Sequence, residues 1–217
     1  MGDEYRAKAH YQGAEVAESY DDVRFRTWHG RLSHQIERRA LESVLDRHFE
    51  AGGKVLDLPC GTGRLLDVYS GRQLQVTGGD ISENMLEIAR RRFAGDSHFS
   101  FEKCDAESLP FPADTFDYLV SFRLMCHLPP AVRAAVLNEM LRVTRSILAV
   151  NYHFHVNSPL LLLNRLCRPS VCSPYPLRER AFVHEIERLD VELCEVRKLS
   201  WYERSSALVV IRKRSLA

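Results

Sequence analysis

The segment Val55-Leu56-Asp57-Leu58-Pro59-Cys60-Gly61-Thr62-Gly63 joins a short apolar strand to a glycine-containing turn. Glycines that follow a strand allow the backbone to approach a ligand closely, because they carry no Cβ. The helix after such a turn offers free N–H groups and the positive end of its dipole, which suit a carboxylate or a phosphate. A Gly-x-Gly pattern is also typical of a plain strand–helix turn, so the rest of the chain must decide between the two.

Strand and helix patterns alternate on both sides of this segment. Apolar residues at helical spacing predict helices at residues 38–49, 64–70, 82–93, 130–144 and 178–189. Apolar runs predict strands at residues 54–58, 73–79, 98–103, 117–122, 146–155, 191–202 and 207–213. The alternation indicates a parallel sheet covered on both faces, and the short connection between the last two strands requires an antiparallel pair. We therefore predict an α/β fold, a doubly wound and mostly parallel seven-stranded sheet with a C-terminal antiparallel hairpin.

The chain has 217 residues, which is enough for one sizeable core, and we predict a single domain over residues 1–217. Residues 1–37 are polar with scattered aromatic side chains and are interpreted as an N-terminal cap segment. Residues 156–177 form an insertion after the fifth strand, rich first in leucine and then in proline. Because open α/β sheets bind ligands beyond the carboxyl ends of their strands, we expect this insertion to line a substrate site.

Bulk composition excludes several classes of protein. The formal net charge of +1 provides no overall field for nucleic acid or an anionic membrane, so no nucleic-acid partner is expected. No apolar run near the N-terminus resembles a secretory signal and none is long enough to span a bilayer, so we expect a cytoplasmic protein. We also expect a monomer or a homodimer. The six cysteines include no Cys-x-x-Cys pair, and we expect reduced thiols and no metal site.

Two acidic residues follow the next two strands. Asp80 ends the second strand, where a carboxylate can accept hydrogen bonds from both hydroxyls of a ribose. Asp105 follows the third strand, where an acceptor can take the exocyclic amine of adenine. Each alone is also explained as a helix cap or an exposed acidic turn. Together with the glycine turn, they fall at three consecutive strand ends in the order that an adenosine ligand needs.

With these residues in place, the chain resembles the class I methyltransferases that use S-adenosylmethionine, in particular the small-molecule branch called type 11. The matching stretches are residues 55–63, 79–86, 105–112, 115–121 and 127–128, and the resemblance covers about residues 54–150 plus the closing hairpin. It implies a Rossmann-like methyltransferase fold and a transferase that moves a methyl group to an O, N or C atom of a small molecule. S-adenosylmethionine would be the cofactor, and S-adenosylhomocysteine the product.

The resemblance also implies which residues bind the cofactor. They are Asp57, Leu58, Pro59, Cys60, Gly61, Thr62, Gly63, Asp80, Ile81, Asp105, Ala106, Phe122 and Arg123. Asp57 and the glycine turn would face the methionine portion, Asp80 the ribose, and Asp105 the adenine edge. Pro59 departs from the small residue that is commoner in the family, which removes a backbone N–H at that point.

The main rival for this fold is a nicotinamide-dependent dehydrogenase. Its fingerprint requires Gly-x-Gly-x-x-Gly, so that helix and strand pack closely around a pyrophosphate. Here Leu66 occupies the third glycine position. S-adenosylmethionine has no pyrophosphate, so this leucine favours the methyltransferase over the dehydrogenase.

Residues near the methyl acceptor can be inferred only from position. His153 and His155 end the fifth strand and share one face by alternation, and His127 follows the fourth strand; each is a candidate general base. The alternative is that the first two are polar residues closing a strand and that His127 shapes the cofactor pocket. Tyr20 and Arg26 are candidate substrate residues in the cap segment, or else part of a solvated amphipathic stretch.

Arg123 after the fourth strand is predicted to pair either with an acceptor carboxylate or phosphate, or with an N-terminal acid such as Asp21 or Asp22. Two other functions stay open from the sequence alone. One is a nucleic-acid or protein methyltransferase, although the basic run at residues 90–92 is more simply a solvated helix face. The other is a methyltransferase fold retained as a non-catalytic partner protein.

Overall fold

A computed structural model of the chain describes residues 13, 17, 20, 21, 26–154, 177–199 and 206–214. Within these residues the helices are α1 (Trp28–His48), α2 (Glu83–Arg92), α3 (Pro130–Val143) and α4 (Glu179–Glu187), with short 3₁₀ helices at Leu66–Tyr69 and Met125–His127. The strands are β1 (Lys54–Asp57), β2 (Gln75–Asp80), β3 (Phe99–Lys103), β4 (Phe116–Ser121), β5 (Thr144–His153), β6 (Val191–Lys198) and β7 (Ser206–Lys213).

All seven strands form one sheet in the order β3-β2-β1-β4-β5-β7-β6. The first five strands pair in parallel, whereas β7 runs antiparallel to both β5 and β6. The strand order reverses on either side of β1, where β2 and β4 are its two neighbours. These features confirm the predicted fold class. They also place the carboxyl ends of β3, β2, β1 and β4 side by side at one edge of the sheet.

The hydrophobic core lies on both faces of the sheet. Val55 of β1 packs on one face in a cluster that includes Leu41 of α1. Leu119 of β4 belongs to the opposite cluster, together with Leu137 of α3. All four side chains are at most 1% exposed. Successive residues of a strand point to opposite faces, so a strand covered by helices on both sides is apolar along its whole length.

Two predicted helices differ from those observed. Helix α1 begins at Trp28, ten residues before the predicted start, because the Thr27 hydroxyl caps it by accepting from Gly30 N at 3.1 Å. The helix predicted at residues 64–70 is only a 3₁₀ helix, Leu66–Tyr69. Its hydrogen bonds span three residues, as in Val68 N to Leu65 O at 3.2 Å, so this part of the connection from β1 to β2 is wound more tightly than an α-helix.

The boundaries of the other elements fall within a few residues of their predicted positions, although β6 ends four residues earlier in the described chain. The predicted insertion at residues 156–177 lies outside the described residues except for Leu177, whose N–H donates to the His153 carbonyl at 2.8 Å. Most of the cap segment before residue 26 lies outside them as well. None of the helices in the described part combines the length and the apolar character that a bilayer crossing requires.

Candidate functional site

A cleft opens at the sheet edge where β1 to β4 end. It encloses about 1100 Å³, its open mouth included. Its lining residues are Tyr20, Asp57, Leu58, Pro59, Cys60, Gly61, Thr62, Arg64, Leu65, Asp80, Ile81, Met85, Cys104, Asp105, Ala106, Phe122, Arg123, Leu124 and His127. The predicted cofactor residues therefore share one cleft, with the exception of Gly63.

Backbone hydrogen bonds, one of them to β2, hold the glycine turn in place. Cys60 N donates to Gly79 O of β2 at 2.8 Å, and Gly63 N donates to Cys60 O at 3.0 Å. Gly61 has a φ of +56°, and a Cβ added there would meet no atom within 4 Å, so its open side faces the cleft. A Cβ on Gly63 would instead lie 3.0 Å from the Phe93 ring and 3.3 Å from Ala89 Cβ. Gly63 is thus required for packing against α2.

Asp80 ties the glycine turn to the start of α2. Its Oδ2 accepts from Gly61 N at 2.9 Å, and its Oδ1 accepts from Ser82 N at 2.9 Å. The residue is only 5% exposed, and burial raises the pKa of its carboxyl even though backbone N–H donors oppose the shift. Each carboxylate oxygen has further lone-pair capacity, so the group can also accept from a ligand diol in the cleft.

Asp57, the last residue of β1, is a second buried carboxyl. Its Oδ2 accepts from the Tyr69 hydroxyl at 2.8 Å, and both residues are at most 5% exposed. Burial raises the pKa of Asp57 to about 7, while the Tyr69 hydrogen bond and the charge of Arg64 act in the opposite direction. The carboxyl therefore changes its charge near neutral pH, directly beside the glycine turn.

The far end of the cleft, beyond β2 and β3, is more apolar. Ile81 and Ala106 line it beside Asp105, and all three are partly buried. One carboxylate oxygen of Asp105 accepts from Glu107 N at 3.0 Å, which fixes the turn that follows β3. A flat heterocycle with polar edges can be accommodated here, between apolar side chains and backbone.

At the opposite end, beyond β4, Arg123 adopts a left-handed backbone conformation with a φ of +59°. Its N–H donates to the Asn151 side chain of β5 at 3.3 Å, which stabilises this unusual conformation. Its Nη2 pairs with Glu37 Oε1 of α1 at 2.5 Å. The acidic partner of Arg123 is thus Glu37 and not Asp21, which pairs elsewhere, and Asp22 lies outside the described residues.

Asp21 links the cap segment to the glycine turn. Its carboxylate accepts from the Thr62 hydroxyl at 3.0 Å and pairs with Arg92 of α2 at 3.3 Å. The neighbouring Tyr20, a candidate substrate residue, lines the cleft. Arg26 is exposed and does not line the cleft. The structure thus brings Tyr20 to the cleft and leaves Arg26 outside it.

The three candidate catalytic histidines are separated. His127 lines the cleft next to the end of β4. His153 ends β5 in a partly buried position and is not among the residues that line the cleft in the described part of the chain. His155 lies outside the described residues. Position therefore favours His127 over His153 as the histidine nearest to a bound ligand.

Sequence reasoning missed several residues of the site. Arg64, Leu65, Met85, Cys104 and Leu124 also line the cleft. Arg64 and Cys104 had a readable signal, because they directly follow the glycine turn and the third strand. Glu37 had none, since a glutamate on a mostly polar helix face looks like a solvated residue, yet it is 5% exposed.

Comparison with known proteins was consistent with this geometry. Residues 55–146 match a family described as methyltransferase domain. The chain is 41% identical over 96 residues to the demethylmenaquinone methyltransferase of Clavibacter sepedonicus, which covers 44% of this chain and 38% of that protein. It is 34% identical over 142 residues to the phosphatidylethanolamine N-methyltransferase of Cereibacter sphaeroides, covering 63% of this chain and 66% of that protein.

Among solved structures, the fold resembles magnesium protoporphyrin IX methyltransferase from Synechocystis, crystallised with bound S-adenosylmethionine. The TM-score is 0.76 at 15% identity, and the match covers 99% of this chain and 98% of that one. At this identity the likeness shows the fold alone. The chain spans well under half the length of the first curated relatives that it matches, 38% and 37% of them.

Proposed function

We propose that the chain is a class I methyltransferase and that it transfers a methyl group from S-adenosylmethionine to an O, N or C atom of a small molecule. The observation that carries this proposal is the convergence of three anchors in one cleft. The open Gly61 backbone, the buried Asp80 carboxylate and the Asp105 turn lie at the ends of three adjacent strands. That order matches an amino-acid tail, a ribose and an adenine.

The residues of the cleft fit this cofactor. A side chain on Gly61 would fill open space that the methionine portion needs, and none is present. Asp80 is fixed by two backbone N–H groups, so it presents its oxygens to a ribose diol without further ordering. The mixed apolar and polar surface around Ile81 suits adenine.

The same cleft does not suit a dinucleotide. Leu66, at the position of the third glycine of the dinucleotide fingerprint, is 1% exposed and packs in the core. A Cβ on Gly63 would lie 3.4 Å from a Leu66 methyl group, so the leucine fills the space where helix and strand would otherwise close on a pyrophosphate.

When bound, the cofactor supplies a methyl group on a positively charged sulfur. The neutral thioether that remains after methyl transfer is a good leaving group. The protein must then align the acceptor for an in-line displacement and, for some acceptors, remove a proton. Phe122 and Leu124 provide the apolar wall of the cleft beyond β4. His127 in the same wall is the residue that we propose as the proton acceptor. His153 and His155 stay as predictions, the second of them outside the described residues.

The experiment is a transfer assay with methyl-labelled S-adenosylmethionine and a panel of phenols, carboxylic acids, amines and lipids. We expect label in at least one small molecule and none in nucleic acid or protein. His127→Gln should lower kcat by about a hundredfold if this histidine removes a proton. His98→Gln is the matched control, because His98 is exposed and pairs with Asp96 away from the cleft. Label found only in nucleic acid or protein would contradict the proposal.

A further inference from the structure

Two arginines at the β4 end of the cleft share a single buried carboxylate. Arg64, just after the glycine turn, places Nη2 at 2.9 Å from Glu37 Oε2. Arg123 places Nη2 at 2.5 Å from Glu37 Oε1. The Glu37 side chain is 7% exposed and comes from α1, whereas both arginines line the cleft. One glutamate thus holds two guanidinium groups at the same wall.

The groups named above carry more positive than negative charge. Among these described groups, the guanidinium groups of Arg64 and Arg123 and the carboxylate of Glu37 sum to +1. His34 Nδ1 lies 2.8 Å from Arg64 Nη1, and burial and the nearby arginine lower the pKa of its ring, which favours the neutral imidazole. The neighbouring Asp57 bears at most part of a charge at neutral pH, since its pKa is raised to about 7.

Arg123 has hydrogen-bonding capacity left over. Its Nε is buried and has no acceptor among the described residues. The residue cannot readily turn away, because Asn151 fixes its backbone and is itself held by donating to Ala207 O at 3.1 Å and Ser206 Oγ at 3.0 Å. Nε itself is enclosed by protein, but the side chain lines the cleft and is 23% exposed, so the remaining Nη N–H groups can donate to a ligand oxygen.

The cofactor does not neutralise the positive charge of Arg64 and Arg123. S-adenosylmethionine carries a sulfonium, an ammonium and a carboxylate, so its binding adds a further net positive charge to the cleft. An anionic second ligand would balance both. A planar guanidinium matches a carboxylate better than a spherical anion, because the two groups can form parallel hydrogen bonds.

We propose that Arg123, supported by Arg64 and their shared counter-ion Glu37, forms a carboxylate subsite and that the methyl acceptor is a small organic acid. This inference rests on the proposed function and specifies its substrate class. The acceptor's carboxylate accepts from the Arg123 guanidinium, and Glu37 positions both arginines. The subsite orients the acceptor at the end of the cleft beyond β4, next to Phe122.

The test measures binding of acetate and benzoate to protein saturated with S-adenosylhomocysteine, with acetamide and benzamide as neutral isosteres. We expect a carboxylate to bind at least about tenfold more tightly than its amide. Arg123→Gln should abolish that preference, and Arg123→Lys should restore part of it, because lysine keeps the charge but loses the planar fork. Arg90→Gln is the control, since Arg90 pairs with Glu83 on the outer face of α2.

A second arm identifies the source of the carboxylate. 5′-Methylthioadenosine lacks the amino-acid portion of S-adenosylhomocysteine. If Arg123→Gln weakens S-adenosylhomocysteine but not 5′-methylthioadenosine, and no added carboxylate is preferred over its amide, the subsite serves the cofactor and the proposal is overturned. Equal binding of acids and amides to the wild type also overturns it. Failure of the wild type to bind S-adenosylhomocysteine at all would instead refute the proposed function.

Discussion

Replacing Asp57 with asparagine should remove a pH-dependent loss of stability from the protein without bound ligand. The side chain is 5% exposed, and burial raises the pKa of its carboxyl from 3.8 to about 7. Asparagine has nearly the same shape and can still accept from Tyr69. Its amide does not ionise, so the variant mimics the protonated acid at every pH.

The magnitude follows from the shift in pKa between the two states. The folded protein binds the Asp57 proton more tightly than the unfolded chain, so this carboxyl favours folding below the unfolded pKa and loses that contribution as pH rises through the folded pKa. A shift of about 3 pKa units, at about 1.4 kcal/mol for each unit, corresponds to about 4 kcal/mol. Most of this loss falls between about pH 4 and pH 7.

The assay is urea unfolding of the wild type and Asp57→Asn, followed by circular dichroism at several values between about pH 5 and pH 8. As pH rises, the free energy of unfolding of the variant should increase relative to that of the wild type by about 1.4 kcal/mol for each pH unit. This difference should level off near pH 7. Tyr69→Phe is the companion variant: losing the donor at 2.8 Å raises the pKa of Asp57 further and extends the loss to higher pH. A difference between the variant and the wild type that is constant across this range would refute the reasoning.

Three further substitutions test the packing and the charges of the site. Gly79→Ala places a Cβ 2.8 Å from Cys104 Sγ, so it should lower the free energy of unfolding by about 1–3 kcal/mol in urea titrations. Gly61→Ala meets no atom within 4 Å but must keep a φ of +56°, so it should cost only about 1–2 kcal/mol of stability while blocking the cleft, seen as weaker binding of S-adenosylhomocysteine by calorimetry. Glu37→Gln leaves two guanidinium groups without their shared counter-ion and should cost about 3 kcal/mol in the same titrations; a loss below about 0.5 kcal/mol would contradict the buried pairing.

Much of the fold was predictable because its signals are local. Alternating strand and helix patterns and a connection too short for a crossover were enough to predict the parallel sheet and its closing hairpin. The glycine turn and Asp80 were readable for the same reason, since each directly follows a strand. The start of α1 was not, because the polar residues before Ala40 hide the helical period and a threonine cap is a weak signal.

The pairing of Arg64 and Arg123 with Glu37 was harder to predict. Arg123 was recognised, but its partner Glu37 is 86 positions away in the chain and lies on a helix with no residue-level sign of burial. His153 is a similar case, because it is not among the described residues that line the cleft, although it ends a strand whose neighbour β4 borders it. Strand alternation predicts the face that a side chain shares with its neighbours, whereas the position of the cleft depends on how the loops beyond β4 fold over it.

The most direct test of the account is calorimetric titration of the purified chain with S-adenosylhomocysteine. We expect a dissociation constant on the order of micromolar, at least about tenfold weaker binding by Asp80→Asn, and no binding of NAD at the same concentrations. Aspartate uses one oxygen to accept from Gly61 N and the other to accept from Ser82 N beside the cleft. Asparagine keeps only one of these two acceptor oxygens. Absence of binding to the wild type, or tighter binding of NAD, would contradict the assignment of this cleft to S-adenosylmethionine.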